Sequence, residues 1–147
     1  MKTLINKLDN CAMKLACYAH CLRDVPLLAA RLYIAKVFFY SGLTKTKNWD
    51  STVSLFAYEY NVPVLPPEIA AYMATAAELS LPVLLVLGLF TPLAAFGLLI
   101  MSLVIELFVY PGTTEHYYWI IILAILTTQG AGRISADKFI RKMITQK

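Results

Sequence analysis

The chain has 147 residues, of which 59% are apolar and 15% charged, with a mean hydropathy of +0.64. A soluble domain carries about 45–50% apolar and about 25% charged residues, so this composition excludes a soluble single core, a charged disordered chain and a disulfide scaffold. What remains is an all-α integral membrane protein, and the length allows about four spans of roughly 20 residues. The net charge of +4 is concentrated at the two chain ends. Anionic headgroups and the positive-inside rule account for it there, and no nucleic-acid partner is needed.

Residues 3–22 read as an amphipathic helix, with Leu4, Leu8, Cys11, Leu15 and Leu22 near one face. Lys7, Asp9 and Lys14 make it too charged to span, so it is expected in the headgroup layer. The same charges, with Arg23 and Asp24, interrupt the apolar run that a cleavable signal peptide requires. Cys11, Cys17 and Cys21 contain no C-x-x-C pair and are read as reduced thiols on the cytoplasmic side. A first span is expected at about 25–43, capped by Asp24 with Pro26 in its first turn. A polar loop follows at 44–67. Within it, Ser51 to Tyr60 suits a short surface helix, and Trp49, Phe56, Tyr58 and Tyr60 suit an interfacial belt.

From Ile69 to Ile105 run 37 residues with a single charge, Glu78. One helix of that length would be about 55 Å long, nearly twice the hydrocarbon thickness. The segment must fold back, and Gly88-Leu89-Phe90-Thr91-Pro92 is the break between spans at about 68–88 and 92–110. A fourth, minimal span is expected at about 116–132. The basic tail 133–147 follows, with Ser135 starting an amphipathic interfacial helix. Four Lys/Arg precede the first span and five follow the last, while the 88–92 turn has none. Both termini are therefore expected in the cytoplasm, although Lys45 and Lys47 on the outer side run against the rule.

Four ionisable groups fall inside the spans: Arg31, Lys36, Glu78 and Glu106. Such groups cost roughly 2.5–3.5 kcal/mol at mid-membrane and usually face a bundle interior with a partner. Counting residues from the expected outer span ends puts Glu78 roughly 15 Å deep and Arg31 roughly 18 Å, against roughly 10 Å for Lys36 and about 6 Å for Glu106. An Arg31–Glu78 pair is the expectation. Arg31, Ala35, Phe38, Gly42 and Lys45 share one helical stripe, and Ala70, Ala74, Glu78 and Pro82 form a ladder of small residues suited to close packing. Such a pair can fix helix register without any catalytic role. Lys36 lies off the stripe and is expected to snorkel or to meet another subunit. His116 reads as an interfacial residue, and with His20 on the opposite side no metal site or two-histidine haem is expected.

These pieces resemble the DoxX family of small four-span membrane proteins. Arg31 with Gly42-Leu43-Thr44-Lys45, Glu78 with Leu87-Gly88-Leu89-Phe90-Thr91-Pro92, and Gly130-Ala131-Gly132-Arg133-Ile134-Ser135-Ala136-Asp137 carry the likeness. Ala131 stands where that family commonly has proline. The N-terminal helix is an extension outside the resemblance. The resemblance implies a bacterial inner-membrane location and a link to terminal quinol oxidase and thiosulfate:quinone oxidoreductase systems. It points to Arg31, Lys45 and Glu78 as site residues, with Gly130, Gly132, Ser135 and Asp137 holding the end of the bundle.

The expected function is accordingly an accessory or small-molecule-binding role in membrane redox metabolism, with a quinone as the ligand. Phe38, Tyr72 or Trp119 would stack on the ring, and Arg31 or Lys45 would donate to a carbonyl oxygen. No electron carrier is expected in the chain itself, so electrons would come from a membrane redox complex. Two other roles are open on the sequence: a proton- or solute-coupled transporter using Glu78 and Glu106, and a structural subunit of a complex or homo-oligomer.

Overall fold

A computed structural model describes residues 22–60 and 65–145. The expected 3–22 helix and its three cysteines lie outside the described residues. Helix α1 is Asp24–Lys47, α2 is Trp49–Leu55 followed by a π-helical turn at Phe56–Tyr60, and α3 is Pro67–Leu87. Helix α4 is Thr91–Val104, continued by a π-helical turn at Ile105–Val109; α5 is Thr114–Gln129 and α6 is Ala136–Thr145. All these elements are helical, as the composition predicts. The segments Asp24–Lys47, Pro67–Leu87 and Thr91–Val109 are long and apolar enough to cross a membrane. Helix α5 has 16 residues, about 24 Å, which falls short of the hydrocarbon thickness of about 30 Å.

Helices α1 and α3 pack together along their lengths, α4 packs on α5, and α3–α4 and α1–α5 contacts close the ring. The core between them is Leu27, Ile34, Ala35 and Phe38 from α1, Leu85 from α3, Ala94, Ala95 and Leu98 from α4, and Leu123 and Leu126 from α5. Only 33%, 33% and 28% of the three long apolar windows are buried. The remainder, including Leu32, Met73, Val86, Phe96 and Leu107, faces outward. So much exposed apolar surface suits lipid and not water.

Each junction has a local cause. Gly88 ends α3 in the left-handed region (φ 69°). Its N–H donates to Leu85 O, and the Leu89 N–H donates to Leu84 O, the paired bonds of a Schellman turn. Pro92 sits in the first turn of α4, where a missing N–H costs nothing. The Asn48 side chain accepts the Ser51 N–H and starts α2 immediately after α1. The N-cap of α1 is Arg23, without a side-chain capping bond. Asp24, expected to cap α1, lies one residue inside, and its carboxylate instead accepts the Arg133 N–H at 2.8 Å.

Two further corrections matter for the site. Helix α1 runs four residues beyond its expected end at 43, so Lys45 is helical and points along the bundle. The Ser51–Tyr60 segment is also more than a surface helix, because Phe56 is buried against Ala70 and Ala71 of α3.

Candidate functional site

The close approach of α1 to α3 is set at Gly42. A Cβ there would stand 2.9 Å from Leu79 Cδ2 and 3.1 Å from Glu78 Cβ, so any side chain would push the helices apart. One residue before Gly42 and three after it, Ser41 and Lys45 reach Glu78. Lys45 Nζ donates to both Glu78 oxygens at 2.9 and 2.8 Å and to Ser41 Oγ at 2.9 Å. Ser41 Oγ donates to Glu78 Oε1 at 3.2 Å. The side chains of Lys45 and Glu78 are 13% and 4% exposed. Pro82 stands four residues on and lacks the N–H that would bond the Glu78 carbonyl, loosening α3 beside the pair.

A second pair is built by the end of α4. The π-helical turn at Ile105–Val109 turns Glu106 inward, and such turns recur where a helix is bent for a purpose. Glu106 Oε1 accepts the Gly112 N–H at 2.7 Å, and Oε2 lies 2.8 Å from His116 Nδ1. Both residues are buried. Bonded to a carboxylate, Nδ1 carries the proton, and among the described residues Nε2 has no partner. The His116 ring lies 5.0 Å from that of Trp119, which meets Phe38 edge-on at 5.6 Å.

Between the pairs is a cavity of about 460 Å³. Lys45, Glu78 and Ser41 supply one polar part of the lining and His116 and Trp119 another, and Phe56, Tyr60 and Tyr110 add aromatic rings. Most of the remaining lining is apolar and comes from α3 and α4. Below it the two helices touch, because Gly97 would place a Cβ 2.8 Å from Leu81 Cδ1. The lining residues Met73 of α3 and Ile100 of α4 are 58% and 48% exposed.

The expected Arg31–Glu78 pair does not form. Arg31 is buried near the opposite end, where Nη2 donates to Ile134 O at 2.7 Å and a Cβ on Gly88 would meet Nη1 at 2.4 Å. Helix α1 places Arg31 14 residues from Lys45, about 21 Å along the axis. Lys36 is exposed on the outer face of α1 and takes no part in the cavity. Tyr72 is 57% exposed and packs on Trp49, ring centroids 4.3 Å apart, outside the lining. Gly130 and Gly132 take positive φ in the reversal after α5. Ser135 Oγ accepts the Lys138 N–H at 3.3 Å, and the Asp137 N–H donates to Gly88 O at 3.2 Å, which ties α6 to the α3–α4 turn.

Sequence reasoning overlooked Ser41 as a site residue, although its i−4 spacing from Lys45 is a usable signal. Phe56 and Tyr60 were legible only as belt aromatics. Among the described residues no three His, Cys, Asp or Glu side chains converge as a metal site.

The DoxX family profile matches residues 26–111, more than half of the sequence. The chain belongs to the DoxX family. Within this DoxX chain the match covers nearly all of α1 to the end of α4, and so includes Lys45, Glu78 and Glu106 but not His116 or Trp119. An uncharacterised protein of Haemophilus influenzae is 32% identical over 135 residues, 84% of this chain and 88% of that one. The inner membrane protein YphA of Escherichia coli is 35% identical over 100 residues, 66% of this chain and 63% of YphA. No solved structure matches.

Proposed function

We propose that this DoxX protein is a four-span bundle of the bacterial inner membrane, α5 being the fourth span, and that its cavity binds a small lipid-soluble ring bearing carbonyl oxygens. A quinone serving membrane redox metabolism is the ligand class that fits best. The observation that carries the reading is an apolar chamber with a few polar groups at its walls, whose lining includes the exposed residues Met73 of α3 and Ile100 of α4. The name of the Escherichia coli relative supports the membrane assigned. Arg23, Arg133 and Lys138 gather at the Gly88 end, which supports a cytoplasmic position for that end.

His116 gives the chamber its chemistry. With Nδ1 held by Glu106, its Nε2 accepts from a ring hydroxyl when the ring is neutral and donates to a ring carbonyl when it is protonated. Trp119 and Phe56 offer apolar ring faces. Lys45 already directs its three protons at Glu78 and Ser41, so it acts as a fixed wall charge and not as the first donor.

Decylubiquinone titrated into purified protein in detergent tests this. Saturable quenching of tryptophan fluorescence is expected, lost in Trp119→Phe because Trp49 lies outside the lining. His116→Ala should weaken the apparent affinity about tenfold, the loss of about 1.4 kcal/mol, while Arg31→Lys leaves it unchanged. Absence of saturable quenching in the unaltered protein sinks the proposal. The presence of two acid–base pairs on one cavity favours a second reading, proton- or solute-coupled transport. Proteoliposome flux abolished by Glu78→Gln would support that one instead.

A further inference from the structure

A second pocket, of about 970 Å³, lies at the Gly88 end, opposite the cavity just described. Its lining includes the cations Arg23, Arg133 and Lys138 and the acids Asp24 and Asp137. Asp24 is already engaged: Oδ1 accepts the Arg133 N–H at 2.8 Å, and Oδ2 lies 4.0 Å from Arg133 Nε. Behind the wall stands Arg31, 1% exposed. A Cβ added to Gly88 would touch both Arg31 Nη1, at 2.4 Å, and the Ser135 Cβ, at 2.8 Å. The guanidinium therefore lies directly beneath the residue that lines the pocket. Its one hydrogen bond goes to a carbonyl, Ile134 O, while Nε and Nη1 have none. No carboxylate pairs with it among the described residues. Taken with Arg31, the described residues of the lining carry four positive groups against two negative ones, and a buried cation with no carboxylate among them favours an anion nearby.

The rim is apolar. Phe90 and Leu93, which also line the pocket, are 66% and 69% exposed at the start of α4. Phe90 is held in the left-handed region (φ 46°), which turns a bulky residue outward at a backbone cost. Helix α6 leaves from the other edge with Phe139, Ile140 and Met143 exposed. A cationic floor, apolar flanks and an amphipathic helix at the end of a bundle match the two halves of one molecule, a charged head and its acyl chains.

We propose that this pocket holds the phosphate headgroup of an anionic phospholipid, with acyl chains against Phe90 and Leu93 and α6 lying in the headgroup layer. Arg31 is then the buried charge that the headgroup balances from the other side of Ser135. The proposal is independent of what the other cavity binds.

The test uses delipidated full-length protein in neutral detergent, with dioctanoyl-phosphatidylglycerol, dioctanoyl-phosphatidylcholine and inorganic phosphate as separate probes. Phosphatidylglycerol is expected to raise the melting temperature saturably and to remain bound one per chain in native mass spectrometry, with phosphatidylcholine doing neither. The double variant Arg23→Gln/Lys138→Gln, both positions being exposed, should keep its helical circular dichroism and bind phosphatidylglycerol roughly tenfold more weakly. Equal effects of the two lipids would overturn a charge-selective site. An equal shift from inorganic phosphate would reduce it to a simple anion site and overturn the lipid assignment. Unchanged binding by the folded double variant would remove the site from this pocket.

Discussion

Glu78 is held by three hydrogen bonds from two residues of one neighbouring helix, so its charge is matched where it is buried. Removing one partner of such a pair costs about 3–5 kcal/mol, whereas replacing both by apolar side chains is often close to neutral. Lys45→Met and Glu78→Leu should each lower stability by that order, and the double variant should recover most of the loss. Unfolding in SDS followed by circular dichroism measures all three, and additive losses would contradict the pairing. Outside the spans, the Tyr110 hydroxyl donates to Glu59, and that bond is the main cause pushing the Tyr110 pKa up to about 12. A folded pKa above the usual value of about 10 means the contact stabilises fully below pH 10 and is lost as pH rises toward 12. Wild type should thus lose melting temperature over that window relative to Tyr110→Phe, which lacks the titrating group.

At the scale of elements, the α1–α3 contact depends on a missing side chain. Gly42→Leu places its side chain against Leu79 and Glu78 and must separate the helices, breaking the Lys45–Glu78 contact with them. A loss of about 1–3 kcal/mol is expected from overpacking alone, with quinone-analogue quenching reduced as the cavity wall moves. The α3–α4 turn behaves similarly. Gly88→Ala adds a Cβ both at positive φ and against Arg31 and Ser135, so a melting temperature several degrees lower is expected by thermal denaturation. The unused expectation at this scale is the polar loop 44–67. Its aromatic residues are not only a belt, since Phe56 is buried against α3 and lines the cavity.

For the molecule as a whole, two ends of one ring of helices carry different chemistry. One end has the two acid–base pairs and the apolar cavity; the other has Arg31 beneath the α3–α4 turn and the basic pocket. Lys36 belongs to neither. It is exposed on the outer face of α1, where an ammonium is costly unless it snorkels or meets a neighbour. Lys36→Met should therefore preserve folding and cavity binding. Any fall in oligomer mass by light scattering would assign the lysine to a contact between subunits.

Composition, the length of the Ile69–Ile105 apolar run and the Gly-x-x-x-Pro break at 88–92 determined by themselves that this is a helical membrane protein with a tight α3–α4 hairpin. The stripe Arg31–Ala35–Phe38–Gly42–Lys45 was legible too, because 3.6-residue periodicity fixes which face of a helix turns inward. Periodicity says nothing about axial register. Glu78 could meet any cation on that stripe, and the choice of Lys45 over Arg31 came from the extra turn of α1 to Lys47 and the close approach at Gly42. Likewise, Glu106 and His116 are separated by a π-helical turn and the Gly112 reversal. Only the folded chain closes that distance, since the bond depends on backbone geometry that no side-chain pattern encodes.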